Sequence, residues 1–425
     1  MKYVNSSAQE LEQEYQALKQ KYEDVKSKGL NLNMARGKPG KEQLDISNGM
    51  LSVLDENTDF VGKDGMDIRN YGILDGITEC KELFAKVLGV EPKNVMIGGS
   101  SSLTMMFDAI THMMLSPVED GCKPWYEVKN RKFLCPAPGY DRHFGITGYY
   151  DFEMIPVPMT ENGPDMDVVE ELIKDESVKG IWCVPKYSNP QGITYSDETV
   201  RRFANLKPAA EDFRIIWDNA YCIHDISDTP DSLLNIFDEC EKAGTEDMVL
   251  EFCSTSKITF PGAGVAAMAA SDNNMKRLKA RYNYQIISYD KVNMFRHVKF
   301  FGSYEGLLEH MKKHKAILQP KFEIVLSTLK NELEPVGIGE WTNPNGGYFV
   351  SIDVFDGTAK RVVQLCKDAG VVLTGAGATY PCGDDPKDSN IRIAPTFPPN
   401  SELQTAMDVF CTCVKLAACE KLLSK

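Results

Sequence analysis

Between residues 94 and 271, seven short apolar runs alternate with longer amphipathic stretches, and this rhythm restricts the fold more than any other feature. The runs cover residues 94–97, 132–135, 152–156, 180–184, 214–217, 248–253 and 265–270. Each is too short for a helix and ends in turn-forming residues, so each reads as a strand. Helical patterns lie between several of them, for example at 103–114 and 197–206. The predicted class is therefore α/β, with a mainly parallel seven-stranded sheet between layers of helices. Sheets of this kind bind ligands at the carboxyl ends of their strands.

After about residue 300 the rhythm changes. A long helix is predicted over 305–333, followed by GGYFVSIDV, a helix at 358–369, VVLTGAG, NIRIAP and a last helix. This predicts a smaller α+β domain at 301–425, joined by an N-terminal helix and arm at 1–45, around a large domain at 46–300. Ser7 and Glu10 have the spacing of a capping box that opens the first helix.

The formal net charge of −14 repels phosphate backbones and anionic lipid, which argues against nucleic-acid and membrane partners. The first residues lack the apolar core of a signal peptide, and no run of about 18 apolar residues occurs. The 12 cysteines form no CxxC pair, and the 6 histidines form no HExxH zinc motif and only one HxxxH pair. His310 and His314 share a helical face within HMKKHK, which reads as solvated. A reduced, cytoplasmic protein without a bound metal is the expectation.

Six segments are placed to carry chemistry. In EFCSTSKITFPGAGVAA a strand ends in a Ser/Thr turn that presents Lys257 beside Ser254 and Ser256. Burial would neutralise such an amine and make it a nucleophile toward an aldehyde. In RIIWDNAYCIHD an apolar strand delivers Asp218, with Tyr221 three residues on; a carboxylate there can keep a ring nitrogen protonated. WCVPKYSNPQG sets Asn189 in a turn after a buried strand. IGGSSSLTMMFDAI puts Gly99, Ser100 and Ser101 at a helix N-terminus, suited to a phosphate. PAPGYDRHFG offers Tyr140 for stacking on a planar ligand. NIRIAPTFP places Arg392 between two isoleucines, ready for a carboxylate. Each segment alone has a plain structural explanation, from helix cap to edge strand. Their joint order is more informative, with 29 residues from Asn189 to Asp218 and 39 from Asp218 to Lys257.

On these residues the chain resembles the fold-type I enzymes that use pyridoxal 5'-phosphate, in particular the class I/II aminotransferases and a divergent subgroup of aspartate aminotransferases. The resemblance implies that Lys257 holds the cofactor as an internal aldimine and that Asp218 meets the pyridine nitrogen. It implies Asn189 and Tyr221 at the 3-oxygen, Tyr140 on the ring, and Gly99, Ser100 and Ser101 at the phosphate. Arg392 and Gly37 would receive the substrate's α-carboxylate, and Arg36 or Arg296 a distal one. Tyr71 would reach the phosphate of a neighbouring subunit, so a homodimer with shared sites is expected. One departure stands out: the family's Pro-Gly-x-Arg after the lysine is here Pro261-Gly262-Ala263-Gly264. Ser254 and Ser256 are candidates to replace that phosphate-binding arginine.

The expected reaction moves an amino group between an L-amino acid, aspartate by preference, and a 2-oxo acid such as 2-oxoglutarate. A C–S β-lyase on the same fold and a non-catalytic sensor of the cofactor are the alternatives. A dinucleotide-binding reading of Gly262-Ala263-Gly264-Val265-Ala266-Ala267 fails on context, because a strand follows where that fingerprint needs a helix.

Overall fold

A computed structural model describes residues 2–424. Thirteen strands occur among them: β1 (Leu32–Asn33), β2 (Val95–Ile97), β3 (Lys132–Ala137), β4 (Glu153–Thr160), β5 (Gly163–Pro164), β6 (Val178–Cys183), β7 (Arg214–Asp218), β8 (Val249–Ser254), β9 (Ala266–Ala270), β10 (Glu340–Trp341), β11 (Val350–Asp353), β12 (Val371–Val372) and β13 (Asn390–Ile393). The main sheet has the order β2-β9-β8-β7-β6-β3-β4-β5. Strands β8, β7, β6, β3 and β4 are mutually parallel, and β9 runs antiparallel to both its neighbours.

All seven expected strands form. The sheet nonetheless has eight, because the chain turns back after β4 at Gly163 (φ +118°) and adds the two-residue β5. Every residue of β2, β6, β7 and β9 is buried, as continuous apolar strands covered on both faces require. One face is filled by Met105, Met106, Ile110, Phe133, Trp182 and Phe252, the other by Ile181, Phe203, Ile215 and Trp217.

Beyond residue 300, β10, β11 and β13 form a three-stranded antiparallel sheet, and β1 pairs with β12 in parallel. The helix Ala8–Lys26 shares a core with the helices Tyr304–Leu333 and Asn400–Leu423, through Leu11, Leu18, Tyr22, Leu329 and Phe410. Its N-terminus carries the expected capping box: Ser7 accepts from the Glu10 N–H and Glu10 from the Ser7 N–H. Among the described residues, no helix is long and apolar enough to cross a membrane.

His310 and His314 overturn the solvated-face expectation. They are 4% and 1% exposed, because the helix Tyr304–Leu333 turns that face onto the segment after Lys257 and leaves Lys312 exposed. Periodicity marks a shared face but not what covers it.

Close packing makes the central sheet intolerant of volume. A Cβ on Gly180 would lie 2.6 Å from the Arg214 carbonyl oxygen and 2.7 Å from the Phe133 ring. Gly180→Ala should therefore lose on the order of 1–3 kcal/mol of stability, read as an earlier urea or thermal transition. An unchanged transition would show that β6 and β7 are free to separate.

Candidate active site

The carboxyl ends of β6, β7 and β8 deliver Asn189, Asp218 and Lys257 to one place. Asp218 is the last residue of β7 and is 3% exposed. Its Oδ2 lies 3.0 Å from His143 Nε2, while its buried Oδ1 has no partner among the described residues. Lys257 follows β8 in a turn closed by the Ile258 and Thr259 N–H groups donating to the Thr255 carbonyl. Its Nζ lies 4.8 Å from the centre of the Tyr221 ring and 5.8 Å from that of Tyr348. Burial pushes the Lys257 amine below its usual range, and the Asp218 charge opposes this only in part. Burial likewise holds Tyr221 well above its usual value, with Tyr140 and Asp218 adding to the effect. Tyr140 is pushed up to about 12 by burial first and Asp218 second, and its ring lies 4.9 Å from that of His143, the residue beside Asp218.

A second cluster surrounds Arg392 on β13. Its Nη1 donates to Asp141 Oδ1 at 3.0 Å and to Asn189 Oδ1 at 3.1 Å, and Nη2 reaches Thr374 Oγ1 at 3.4 Å. The guanidinium lies over the Phe349 ring at 4.9 Å, and its buried Nε lacks a partner among the described residues. Gly37 belongs to this cluster. A Cβ there would lie 2.4 Å from the Phe349 ring, so only glycine lets the arm pass this close.

The serine-rich segments also meet. Ser254 Oγ donates to Ser256 Oγ at 3.0 Å, and Ser256 Oγ reaches the Ser100 carbonyl at 3.4 Å. Gly98 and Gly99 bind the Ala266 main chain, which fixes the loop before the helix Ser102–Leu115. The Ser101 hydroxyl makes no capping bond there. Gly264 ends the Pro261-Gly262-Ala263-Gly264 run after the lysine turn. A Cβ on it would meet Thr255 Oγ1 at 3.0 Å and the Phe260 and Ser100 carbonyls at 3.3 Å, so this corner is tightly packed.

Three candidates lie outside these clusters. Arg36 is exposed, next to Ala35 and Gly37. Arg296 sits on the helix Lys291–Phe301 and donates to Asn293 Oδ1 at 2.5 Å; Asn293 in turn donates to the Gly264 carbonyl at 2.8 Å. That puts Arg296 behind the lysine turn and apart from Arg392's partners. Tyr71 is 75% exposed, in a loop whose Asn70 and Gly72 carbonyls accept from Lys291 Nζ.

Sequence reasoning missed His143. It lies in PAPGYDRHFG, one helical turn after Tyr140, and stacks on Trp182 at 4.4 Å and 8°. Its spacing from Tyr140 was the available signal, but nothing local pointed it at a strand 75 residues away. Phe349, Asp141 and Thr374 were also missed, and each was packing or loop material until the fold set it against Arg392.

The family model for aspartate amino-transferase matches residues 6–425. An aspartate aminotransferase of Corynebacterium glutamicum is 46% identical over 406 residues, covering 96% of this chain and 94% of the relative. The crystal structure of an aspartate transaminase from the same species superposes with a TM-score of 0.96, at 44% identity and 99% coverage of both chains. A Thermus thermophilus alpha-aminoadipate aminotransferase, complexed with N-(5'-phosphopyridoxyl)-L-leucine, shares the fold at a TM-score of 0.74 and 19% identity, covering 92% of this chain and 93% of its own. The chain belongs to the aspartate aminotransferase family and has the fold of the pyridoxal-phosphate-dependent aminotransferases.

An amine held below its usual pKa is more often neutral near pH 7 than an exposed lysine, and only the neutral form is nucleophilic. Cyanate should therefore carbamylate Lys257 in the cofactor-free protein ahead of exposed lysines such as Lys41 and Lys312, as followed by peptide mapping. Equal or slower labelling of Lys257 would show that its amine is not poised.

Proposed function

We propose that this enzyme transfers amino groups between an L-amino acid, aspartate first among them, and a 2-oxo acid such as 2-oxoglutarate, with pyridoxal 5'-phosphate carried on Lys257. The observation that supports this reading best is the depressed Lys257 amine facing a buried Asp218 with one unpartnered oxygen. The residues present fit the cofactor. Asp218 Oδ1 offers an acceptor to a protonated ring nitrogen, and Tyr140 offers a ring face. Tyr221 and Asn189 offer donors to the 3-oxygen. Ser100, Ser101, Ser254 and Ser256, with the N-terminus of the helix Ser102–Leu115, offer hydrogen bonds to a phosphate.

When bound, pyridoxal phosphate supplies an aldehyde for the lysine and a ring that takes up the electron pair left at the substrate's Cα. The chain's own groups do the rest. His143 holds Asp218 Oδ2, so the carboxylate keeps its free oxygen aimed and its charge near the ring nitrogen. The Lys257 amine, pushed by burial toward its neutral form, serves as the base that takes a proton from Cα. Arg392 binds the α-carboxylate with its planar fork, and Phe349 and Gly37 shape the floor beneath it. Arg36 and Arg296 remain the candidates for a distal carboxylate. The exposure of Tyr284 (93%), Tyr71 (75%) and Ile287 (64%) supports a homodimer in which Tyr71 serves the neighbouring site. Residues 1–45 with 301–425 are read as the small domain, and 46–300 as the large one.

Half-reaction spectra test the function directly. Aspartate should bleach the visible absorption of the holoenzyme, 2-oxoglutarate should restore it, and Lys257→Ala should have none to bleach. Release of pyruvate and ammonia instead of transfer would assign a lyase. Two further variants separate roles. Asp218→Ala should bind cofactor yet lose about a hundredfold or more in kcat, and near-normal turnover would remove its role at the ring nitrogen. Arg392→Lys should raise KM about tenfold or more, since lysine lacks the fork, and an unchanged KM would reassign the arginine.

A further inference from the structure

Behind Lys257, on the side away from Asp218, lies a buried polar chain that the transfer chemistry does not use. Both His310 Nε2 and His314 Nε2 converge on the Ile258 carbonyl oxygen, at 2.9 and 2.8 Å. Gln43 Nε2 lies 3.1 Å from His314 Nδ1 and 2.6 Å from the Tyr348 hydroxyl. The Tyr348 hydroxyl donates onward to the Lys257 carbonyl at 3.3 Å. Gln43 Oε1 accepts from the Gly40 N–H at 3.2 Å, and Ser47 Oγ adds a long contact of 3.4 Å to the Ile258 carbonyl. Gln43, His310, His314 and Tyr348 are each no more than 4% exposed.

One proton assignment accounts for the shortest contacts. Two neutral imidazoles, each protonated on Nε2, both donate to the Ile258 carbonyl oxygen, with their Nε2 atoms 3.2 Å apart and Ser47 Oγ 3.4 Å from His310 Nε2. The two amide protons of Gln43 go to His314 Nδ1 and to the tyrosine oxygen, which leaves the tyrosine proton for Lys257. Burial favours the neutral rings, since it lowers His310 and takes His314 down to about 4, and two neighbouring imidazolium charges would repel each other. A buried network of this kind resists displacement, because moving His314, Gln43 or Tyr348 strands a buried polar group.

The chain also reaches the second cluster of the site. Tyr348 and its neighbour Phe349 point opposite ways, the first to Gln43 and Lys257, the second beneath Arg392 and against Gly37. Gly37 and Gly40 bracket the arm, whose Lys38 carbonyl accepts from Thr396 Oγ1 at 3.0 Å. The arm is thus held at one end by the carboxylate cluster and at the other by Gln43.

We propose that Gln43, His310, His314 and Tyr348 are positioning residues that fix the peptide planes of Lys257 and Ile258 and couple them to the Gly37–Gly40 arm. Ordering of the arm by a substrate carboxylate is then transmitted to the lysine. The inference rests on Lys257 as the cofactor-bearing residue.

The test follows the rate at which cofactor-free protein takes up pyridoxal phosphate, the pH midpoint of the resulting visible band, and kcat against KM. His314→Ala and Tyr348→Phe should slow uptake about tenfold, move the midpoint, and lower kcat more than they raise KM, because small misplacements of a reacting group are costly. His314→Gln should recover most of the uptake rate, since its amide N–H replaces the lost donor to Ile258. Tyr348→Phe removes a single hydroxyl and decides the matter if His314→Ala does not fold. Wild-type uptake rates and an unmoved midpoint in folded Tyr348→Phe and His314→Ala would overturn the coupling. So would a His314→Gln as impaired as His314→Ala. Failure of the wild-type protein itself to develop the band would instead bring down the assignment of Lys257, a result the variants cannot mimic.

Discussion

The site depends on a carboxylate oxygen that the chain leaves unsatisfied. Asp218 is buried at the end of a central strand, and its Oδ1 has no partner among the described residues. A buried acceptor without a donor costs roughly 1–3 kcal/mol, more when it is charged. The imbalance is consistent with a protonated ring nitrogen as the missing donor. It also explains the company Asp218 keeps: two tyrosines whose protons are held tightly, and a lysine whose amine burial drives toward neutrality.

The sheet makes this arrangement possible. Parallel β6, β7 and β8 end at the same edge, so residues far apart in sequence arrive together there. Full burial of β6 and β7 removes water that would otherwise screen Asp218. The antiparallel β9 then returns from the lysine turn and ties it to Gly98 and Gly99 through the Ala266 main chain. The glycine-serine loop and the lysine turn are thus two parts of one rigid corner. Catalytic geometry of this kind needs supports that do not move.

What was legible in the sequence follows from this division. Strand-end residues could be read because a strand and its turn are local: Asp218 follows Ile215-Ile216-Trp217, and Lys257 follows β8. The eight-stranded main sheet differs from expectation only by β5, a two-residue strand with too little pattern to detect. Residues that act through non-local packing were invisible. His143 reaches Asp218 across 75 positions, and Phe349 gains meaning only beneath Arg392. His310 and His314 were misread for a related reason. Lysines flank them on the helix, and composition suggested water where the fold supplies the Ile258 carbonyl.

The absent phosphate arginine shows how such a site tolerates the loss of an expected part. Gly264, at the end of the run where the resemblance expects that arginine, is crowded by the Thr255 hydroxyl and the Ser100 carbonyl. The two segments lie close together, and Ser256 reaches the Ser100 carbonyl directly. On the proposed reading, the phosphate exchanges one full charge for several hydroxyl donors and a helix terminus worth roughly half a charge. Hydrogen bonds from neutral groups are individually weaker than charge-assisted ones. Such a cradle must hold its anion by number and geometry, which gives the close packing of Gly98, Gly99 and Gly264 a purpose beyond the fold.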